Sequence, residues 1–371
     1  MKKAVIIYSG YNQRAVIAFL RTLTAKKISF GIIASSSGDT IFNTIYAQHV
    51  LYTRAEKQLK LADLIDGIEA CKNILKADKY VVAPSTEALN RYLLDNRDKF
   101  AAAGCDIPLV SNDLYETVSD KYKFGEVCRA SGILLPQEYD DINEAPIPFV
   151  AKPKKYFTEG GNVYAPFLIH NNADKDGFLS QCNPKDFYFQ EFVNGQCLYL
   201  LYYLYKDGTV AKLSQINKVQ QPGGKSMIAA ESTSFHLTSE SDKYEKLFKS
   251  VGYFGLVMVE VKKDGYKNYM IEANPRFWGP SQLFVDSGVN LFESFLFDNG
   301  LLDKKPEFLS ITQSIKYFWY GGLVESMRDY GYVAYHDYSK KIFDSEMDAW
   351  MAADVYNRED TKDLFAQEVK R

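Results

Sequence analysis

The chain has 371 residues, of which 46% are hydrophobic and 25% charged, the balance of a folded globular protein with room for two or three domains. A formal net charge of −3, with no lysine- and arginine-rich tract, excludes a general electrostatic attraction to nucleic acid. Five cysteines scattered without a CxxC pair exclude a complete disulfide framework and read as reduced, packed thiols.

At the start of the chain, two lysines precede the apolar run 4–8, which is too short for a signal peptide and reads as a first buried strand. No stretch approaches the ~18–20 apolar residues of a membrane-spanning helix, so a cytoplasmic protein with no membrane partner is expected. Residues 1–110 alternate strand-like runs at 4–8, 28–34 and 80–83 with helical patterns at 13–23, 62–75 and 88–94. That rhythm predicts a parallel sheet with helices on its faces. Only Gly10 stands in the first strand-to-helix turn, so the dinucleotide fingerprint is absent and NAD is not assigned. Ser85 or Thr86 either caps the helix beginning near Glu87 or meets a substrate at the carboxyl end of the preceding strand.

Further on, Ser119 or Asp120 opens a helix that ends near Gly132 and carries Lys121 in its first turn. The acid- and proline-rich segment 140–148 reads as a connection. The strand after it ends on Lys152, and a loop follows with the pair Gly160 and Gly161. Such a loop brings backbone N–H groups to phosphate oxygens while a lysine adds a point charge, although a plain exposed loop explains the same residues. Gln190, Glu191, Phe192 and Val193 close an aromatic strand before Asn194-Gly195, either as a place for an adenine and its ribose or as a strand edge with a tight turn. A long strand pair at 197–216 implies a mixed or antiparallel sheet distinct from the first domain. The GGKS sequence at 223–226 fails as a P-loop because the first glycine of that motif would fall on Val219. Residues 220–227 read as a flexible loop that closes over phosphate or substrate with Lys218 and Lys225, or as a plain connection. His49, His170, His236 and His336 lie far apart in sequence and take no assigned role.

The stretch 256–279 is the most informative. Glu272, Asn274 and Arg276 alternate along an apolar-flanked strand, so all three project from one face, and Pro275 keeps Asn274 extended. Two carboxylates and an amide oxygen are hard ligands suited to Mg²⁺, and Arg276 offers a permanently charged fork for phosphate. Glu260 joins them only if the hairpin register allows it. A two-residue Asp264-Gly265 turn would set Glu260 opposite Tyr269, on the wrong face. A three-residue loop of Asp264, Gly265 and Tyr266 sets it opposite Met270 and diagonal to Glu272, about 7–8 Å away. An odd-length loop or a bulge is therefore predicted. Residues 301–371 mix aromatic and charged segments and end in a polar helix-like tail.

Taken in order, the segments 119–124, 148–153 with its glycine loop, 190–195, 255–261 and 271–279 resemble the ATP-grasp superfamily of carboxylate-activating ligases. The resemblance covers roughly residues 1–300 and leans to the branch that includes biotin carboxylase and the large subunit of carbamoyl phosphate synthetase. It implies an α/β and α+β architecture: a Rossmann-like parallel α/β domain at 1–115, a small lid subdomain at 116–200, a large subdomain with the metal site at 201–300, and a C-terminal extension at 301–371. It implies that Lys121, Lys152, Gly160 and Gly161 bind ATP phosphates and that Gln190, Glu191, Phe192 and Val193 sit at the adenine and ribose. Glu260, Glu272 and Asn274 would hold two Mg²⁺ ions, or Mn²⁺ in their place, and Arg276 and Lys225 would serve catalysis. The implied reaction joins a small-molecule carboxylate to an amine through an acyl phosphate. The substrate pocket is expected between the first domain, the 218–227 loop and residues 278–282, with the aromatic C-terminal region completing it or forming a homodimer contact.

Overall fold

The computed structural model describes residues 2–156, 163–308 and 313–370. The first layer is a five-stranded parallel sheet built from β1 (Lys3–Tyr8), β2 (Phe30–Ala34), β3 (Val50–Thr53), β4 (Lys79–Val82) and β5 (Cys105–Asp106), in the order β3-β2-β1-β4-β5. β1, β2 and β4 are almost wholly buried, as strands covered by helices on both faces must be, which is why their apolar runs were legible. β3 is a half-buried edge strand and β5 is two residues long, so neither left a run to read. The helices α1 (Gln13–Ala25), α2 (Leu61–Leu75) and α3 (Glu87–Asp95) fall where the 3.6-residue period placed them. Thr86 caps α3 by accepting from the Leu89 N–H.

This strand order has a functional consequence. The chain leaves β1 toward β2 on one side and returns to β4 on the other, so a crevice opens at the carboxyl ends of β1 and β4. Residues 9–14 and 84–88 surround that crevice.

After α4 (Arg97–Ala102) and α5 (Asn112–Ser119), α6 (Lys121–Ala130) begins at Asp120, whose carboxylate accepts from the Tyr122 and Lys123 N–H groups. A small antiparallel sheet follows, from β6 (Glu138–Tyr139), β7 (Phe149–Pro153), β8 (Phe167–Ile169) and β9 (Phe187–Glu191), in the order β6-β9-β7-β8. Phe149, Phe178, Phe187 and Phe189 fill its core through edge-to-face contacts.

The large sheet has seven strands: β10 (Gln196–Leu204), β11 (Val210–Gln220), β12 (Met227–Thr233), β13 (Gly255–Asp264), β14 (Lys267–Asn274), β15 (Lys316–Phe318) and β16 (Ala334–Tyr335). Its path is β14-β13-β10-β11-β12-β15, with β16 also pairing β11, and every pairing is antiparallel. The C-terminal region is thus woven into this sheet through β15 and β16.

The segment 220–227, expected as a flexible loop or a plain connection, joins β11 to β12. It is a tight connection between β11 and β12 around a 3₁₀ turn at Pro222–Gly224, closed by the Gln221 N–H to Ser226 carbonyl bond and by Gln220 Nε2 donating to the Lys225 carbonyl. Gly223 and Gly224 both have positive φ, so they make a tight turn rather than a slack one.

One aromatic cluster ties the two large sheets together. Phe19 of α1 meets Phe277, Phe292 and Phe295 at ring-centroid distances of 5.0, 4.9 and 5.8 Å. Because Phe277 directly follows Arg276, this cluster also fixes the position of the β13–β14 hairpin relative to β1. Phe19→Ala is expected to destabilise the protein by about 3–5 kcal/mol in chemical denaturation, the cost of emptying a fully buried phenylalanine site. A loss under about 1 kcal/mol would show that the two sheets are held together elsewhere.

Candidate active site

The hairpin β13–β14 settles the register question by a route of its own. Asp264 pairs with Lys267, so the turn is the two-residue Gly265–Tyr266, one position beyond the turn considered from sequence. Counting back, Lys262 pairs Tyr269 and Val261 pairs Met270, a register that would leave Glu260 and Glu272 on opposite faces. A bulge then intervenes. Ile271 has no partner, and Glu260 pairs directly with Glu272. The bulge also has a use. The carbonyl of Ile271 accepts from Lys152 Nζ at 3.2 Å, which ties the small sheet to β14.

Beyond Glu272 the alternation holds for one more residue. β14 ends at Asn274, and the Arg276 N–H bonds back to the Asn274 carbonyl at 3.0 Å, so the backbone bends tightly at Pro275 instead of running extended to Arg276. The three side chains nevertheless remain together. Asn274 Nδ2 donates to Glu272 Oε1 at 2.7 Å, and Arg276 Nη2 donates to Asn274 Oδ1 at 2.9 Å. Arg276 also stands 3.9 Å from Glu87, at the first turn of α3, which brings the crevice of the first sheet to the same point.

Two lysines face the carboxylates. Lys121, in the first turn of α6, forms an ion pair with Glu272. Lys152, at the end of β7 and buried, donates to Gln190 Oε1 at 2.6 Å, and Gln190 Nε2 in turn donates to Glu138 at 3.1 Å. Glu191 is exposed at the end of β9, and Phe192 and Val193 follow it half-buried, Phe192 against the ring of His170. Gly160 and Gly161 lie outside the described residues.

The electrostatics follow from this packing. Burial disfavours the charge on Glu272, but the adjacent Lys121 ammonium and the Asn274 amide outweigh it and hold the carboxyl well below the usual range. Burial likewise opposes the Lys121 charge, and Glu272 overcomes it, so Lys121 lies above the ordinary lysine value. Glu260 goes the other way. Burial raises its pKa, and the Glu272 charge opposite raises it further. Its hydrogen-bond partner is the Cys197 thiol at 3.5 Å, a weak donor. A half-buried carboxylate whose hydrogen-bond partner is a thiol, facing a second carboxylate and an amide oxygen, is a donor set that fits a hard divalent cation such as Mg²⁺. Among the described residues no group of three or more His, Cys, Asp or Glu offers an alternative centre.

Two cavities meet beside this site. One, of about 330 Å³, is lined by Glu260, Glu272, Asn274, Arg276, Lys225 and Trp278. The other, of about 790 Å³, lies over the crevice of the first sheet, among Tyr8, Tyr11, Glu87, Trp319 and Tyr356. Asn12, Arg14, Ser226 and Arg276 line both. Lys225 borders the smaller cavity, but its ammonium donates to the Tyr330 hydroxyl at 2.6 Å rather than to a metal-site carboxylate.

Sequence reasoning missed Asn12, Arg14, Trp319 and Tyr356 as site residues. Asn12, at a left-handed φ of 51°, donates to the carbonyls of both Ser85 and Phe277 and so ties β1, β4 and the β13–β14 hairpin together. The signal that would have found Asn12 and Arg14 is their place just after β1, where an open α/β sheet changes direction. Trp319 and Tyr356 arrive through strand pairing at a sequence distance that no local pattern reveals.

Comparison with solved structures identifies the fold. The chain is similar to biotin carboxylase from Campylobacter jejuni, solved as a β-γ-ATP complex, at 16% identity and a TM-score of 0.63 over 85% of this chain and 74% of that one. It is similar to the biotin carboxylase domain of Hydrogenobacter thermophilus 2-oxoglutarate carboxylase, a dimer solved with MgADP, ADP and bicarbonate, at 15% identity and a TM-score of 0.61 over 85% and 73%. It is also similar to N5-carboxyaminoimidazole ribonucleotide synthetase in its ADP complex, at 14% identity and a TM-score of 0.62 over 88% and 85%. No protein-family model and no curated protein matches the sequence. The fold is therefore the ATP-grasp fold expected from the sequence, and at these identities the fold is what the likeness establishes.

Lys152 provides a test of the site's electrostatics. Burial, reinforced by the Lys121 charge, pushes its pKa down to about 8 from the ordinary 10.5. Between those values the unfolded chain binds a proton that the folded chain does not, so the stability traceable to Lys152 rises with pH across that window. Melting temperatures measured from pH 8 to 10 are expected to show this rising component in the wild type and to lose it in Lys152→Met. An identical pH profile for the two proteins would mean that Lys152 is not buried beside Lys121.

Proposed function

We propose that the protein is an ATP-dependent ligase that activates a small-molecule carboxylate as an acyl phosphate and passes it to an amine, releasing ADP and phosphate. The observation that carries this reading is the single cluster of Glu260, Glu272, Asn274 and Arg276 facing Lys121 and Lys152, the charge pattern that ATP phosphates and their metal ions require. Glu260, Glu272 and Asn274 would hold two Mg²⁺ ions, for which Mn²⁺ can substitute. Bound there, the metal supplies charge neutralisation between the β- and γ-phosphates.

The chain's own residues do the rest. Lys121 leaves Glu272 for the nucleotide phosphates, and Lys152, held by Gln190 and the Ile271 carbonyl, meets them from the small sheet. The segment Gln190–Val193 takes the adenine and ribose. A substrate carboxylate oxygen attacks the γ-phosphorus in line, the O–P bond to ADP breaks, and Arg276 steadies the transferred phosphoryl group. The amine nitrogen then attacks the acyl carbon. The C–O bond to phosphate breaks, and the proton lost from nitrogen leaves with the phosphate.

A non-catalytic nucleotide-binding protein would need neither both carboxylates nor the arginine, so the intact set favours catalysis. Screening ADP release against amino acids, sugar acids and short peptides, with analysis of the product, tests the reaction and the acceptor together. Glu272→Ala is expected to abolish turnover, and Arg276→Ala to lower kcat by roughly a hundred- to a thousandfold, the cost of losing one preorganised charge-stabilising donor. A fully active Glu272→Ala enzyme would contradict the assignment.

A further inference from the structure

We propose that Arg14 is the residue that grips the substrate carboxylate, and that the acid it grips is an organic acid with a body the size of a hexuronate or dipeptide, not bicarbonate. The inference rests on the ligase reading above and names the substrate class of that site.

The first observation is a guanidinium with an open edge: Glu368 lines the same cavity but accepts from Trp319 Nε1 at 2.9 Å. Arg14 Nη1 donates to the Met227 carbonyl at 2.9 Å and to the Tyr317 hydroxyl at 3.2 Å, and Nη2 donates to Ser226 Oγ at 2.8 Å. Its guanidinium carbon lies 3.8 Å from the centroid of the Trp319 ring. Every one of these partners is neutral, and among the described residues Arg14 pairs with no carboxylate. A guanidinium has five N–H donors, and three are used here. Nε–H and one Nη2–H remain, the edge on which a guanidinium receives a carboxylate side-on. Arg21 shows the same edge satisfied, with Nε and Nη2 meeting the two oxygens of Asp360 at 2.7 and 2.8 Å. Arg14 is fixed in place like a structural arginine while that edge has no partner among the described residues.

The second observation is position. Arg14 and Arg276 both line the junction of the two cavities, so a carboxylate on Arg14 stands beside the group that steadies the transferred phosphate. Gly279 makes room for this. A Cβ there would come within 2.8 Å of Arg14 Nη2.

The third observation is space. Bicarbonate has four heavy atoms, whereas the adjoining cavity of about 790 Å³ is in the range that accepts whole drug-sized ligands. Tyr8, Tyr11, Trp319 and Tyr356 give it aromatic walls.

Calorimetric titration of the protein in Mg²⁺-ADP with glucuronate and with glycyl-phenylalanine, each beside its neutral amide, tests this directly. Saturable binding of at least one acid and not of its amide is expected. Arg14→Gln should weaken that binding roughly tenfold to a hundredfold, the range for losing a charged hydrogen-bonding partner. Arg14→Lys should restore part of it. Gly279→Ala, which crowds the guanidinium without removing it, should weaken binding by less. None of these variants should change the affinity for Mg²⁺-ADP, a readout that separates loss of the grip from loss of the fold. If Arg14→Gln fails to fold, the acid–amide comparison and Gly279→Ala still decide the matter. Equal binding of acid and amide, no binding of either acid, or ADP release driven by bicarbonate alone would overturn the proposal. Failure of the wild type to bind Mg²⁺-ADP would instead overturn the ligase reading beneath it.

Discussion

The unpaired Ile271 in β14 is the constraint on which the site depends. A strand has only two faces, and the Gly265–Tyr266 turn by itself assigns Glu260 and Glu272 to different ones. Inserting one unpaired residue changes the parity for everything beyond it, so Glu272 and Asn274 move to the face of Glu260. The Ile271 carbonyl, without a place in the ladder, is free to accept from Lys152. A single irregularity therefore brings the second carboxylate to the first and anchors a lysine from another sheet against both.

The cluster that results is balanced without ligand and poised to be balanced differently with one. Two carboxylates face each other across the hairpin, and Lys121 pairs with one of them, which leaves Glu260 with burial and a like charge that the more distant Lys262 and Lys152 only partly offset. In a water-poor site such an arrangement is costly unless a cation joins it, and an incoming nucleotide that carries metal ions would relieve both the excess negative charge and the crowding of the two lysines. The first sheet contributes the rest of the geometry. Its change of direction between β1 and β4 opens a crevice at the same point, and Asn12 and Phe19 fasten that crevice to the hairpin. The C-terminal region then supplies its far wall: Trp319 directly after β15, and Tyr356 from a segment held to β15 by the Val355 N–H to Phe318 carbonyl bond.

Much of this was legible in the chain, and the boundary of legibility has physical causes. Period-two alternation places Glu272 and Asn274 on one face without knowledge of any partner, and the helix signals around Asp120 and Thr86 are local, so both appear where expected. Glu260 depends on register, which is a property of two strands and is set here by a bulge that no residue type announces. Arg276 keeps its neighbours although the strand stops before it, because its side chain is long enough to reach back across the bend at Pro275. The glycines at 223 and 224 read as slack, yet their positive φ angles serve a tight turn pinned by Gln220 and Gln221. Arg14 looks like any solvent-facing arginine in a first helical turn. Only the packing of β12, Trp319 and Gly279 around it reveals a guanidinium held in place with one edge left open.

The central claim is that Glu260 and Glu272 act together as one metal-dependent nucleotide site. It is tested most directly by titrating ADP into the wild type and into Glu260→Gln, each with and without Mg²⁺. The account predicts that Mg²⁺ tightens ADP binding to the wild type and that this gain is lost in Glu260→Gln while metal-free binding survives. Equal tightening by Mg²⁺ in both proteins would show that Glu260 stands outside the site and that the bulge at Ile271 serves packing alone.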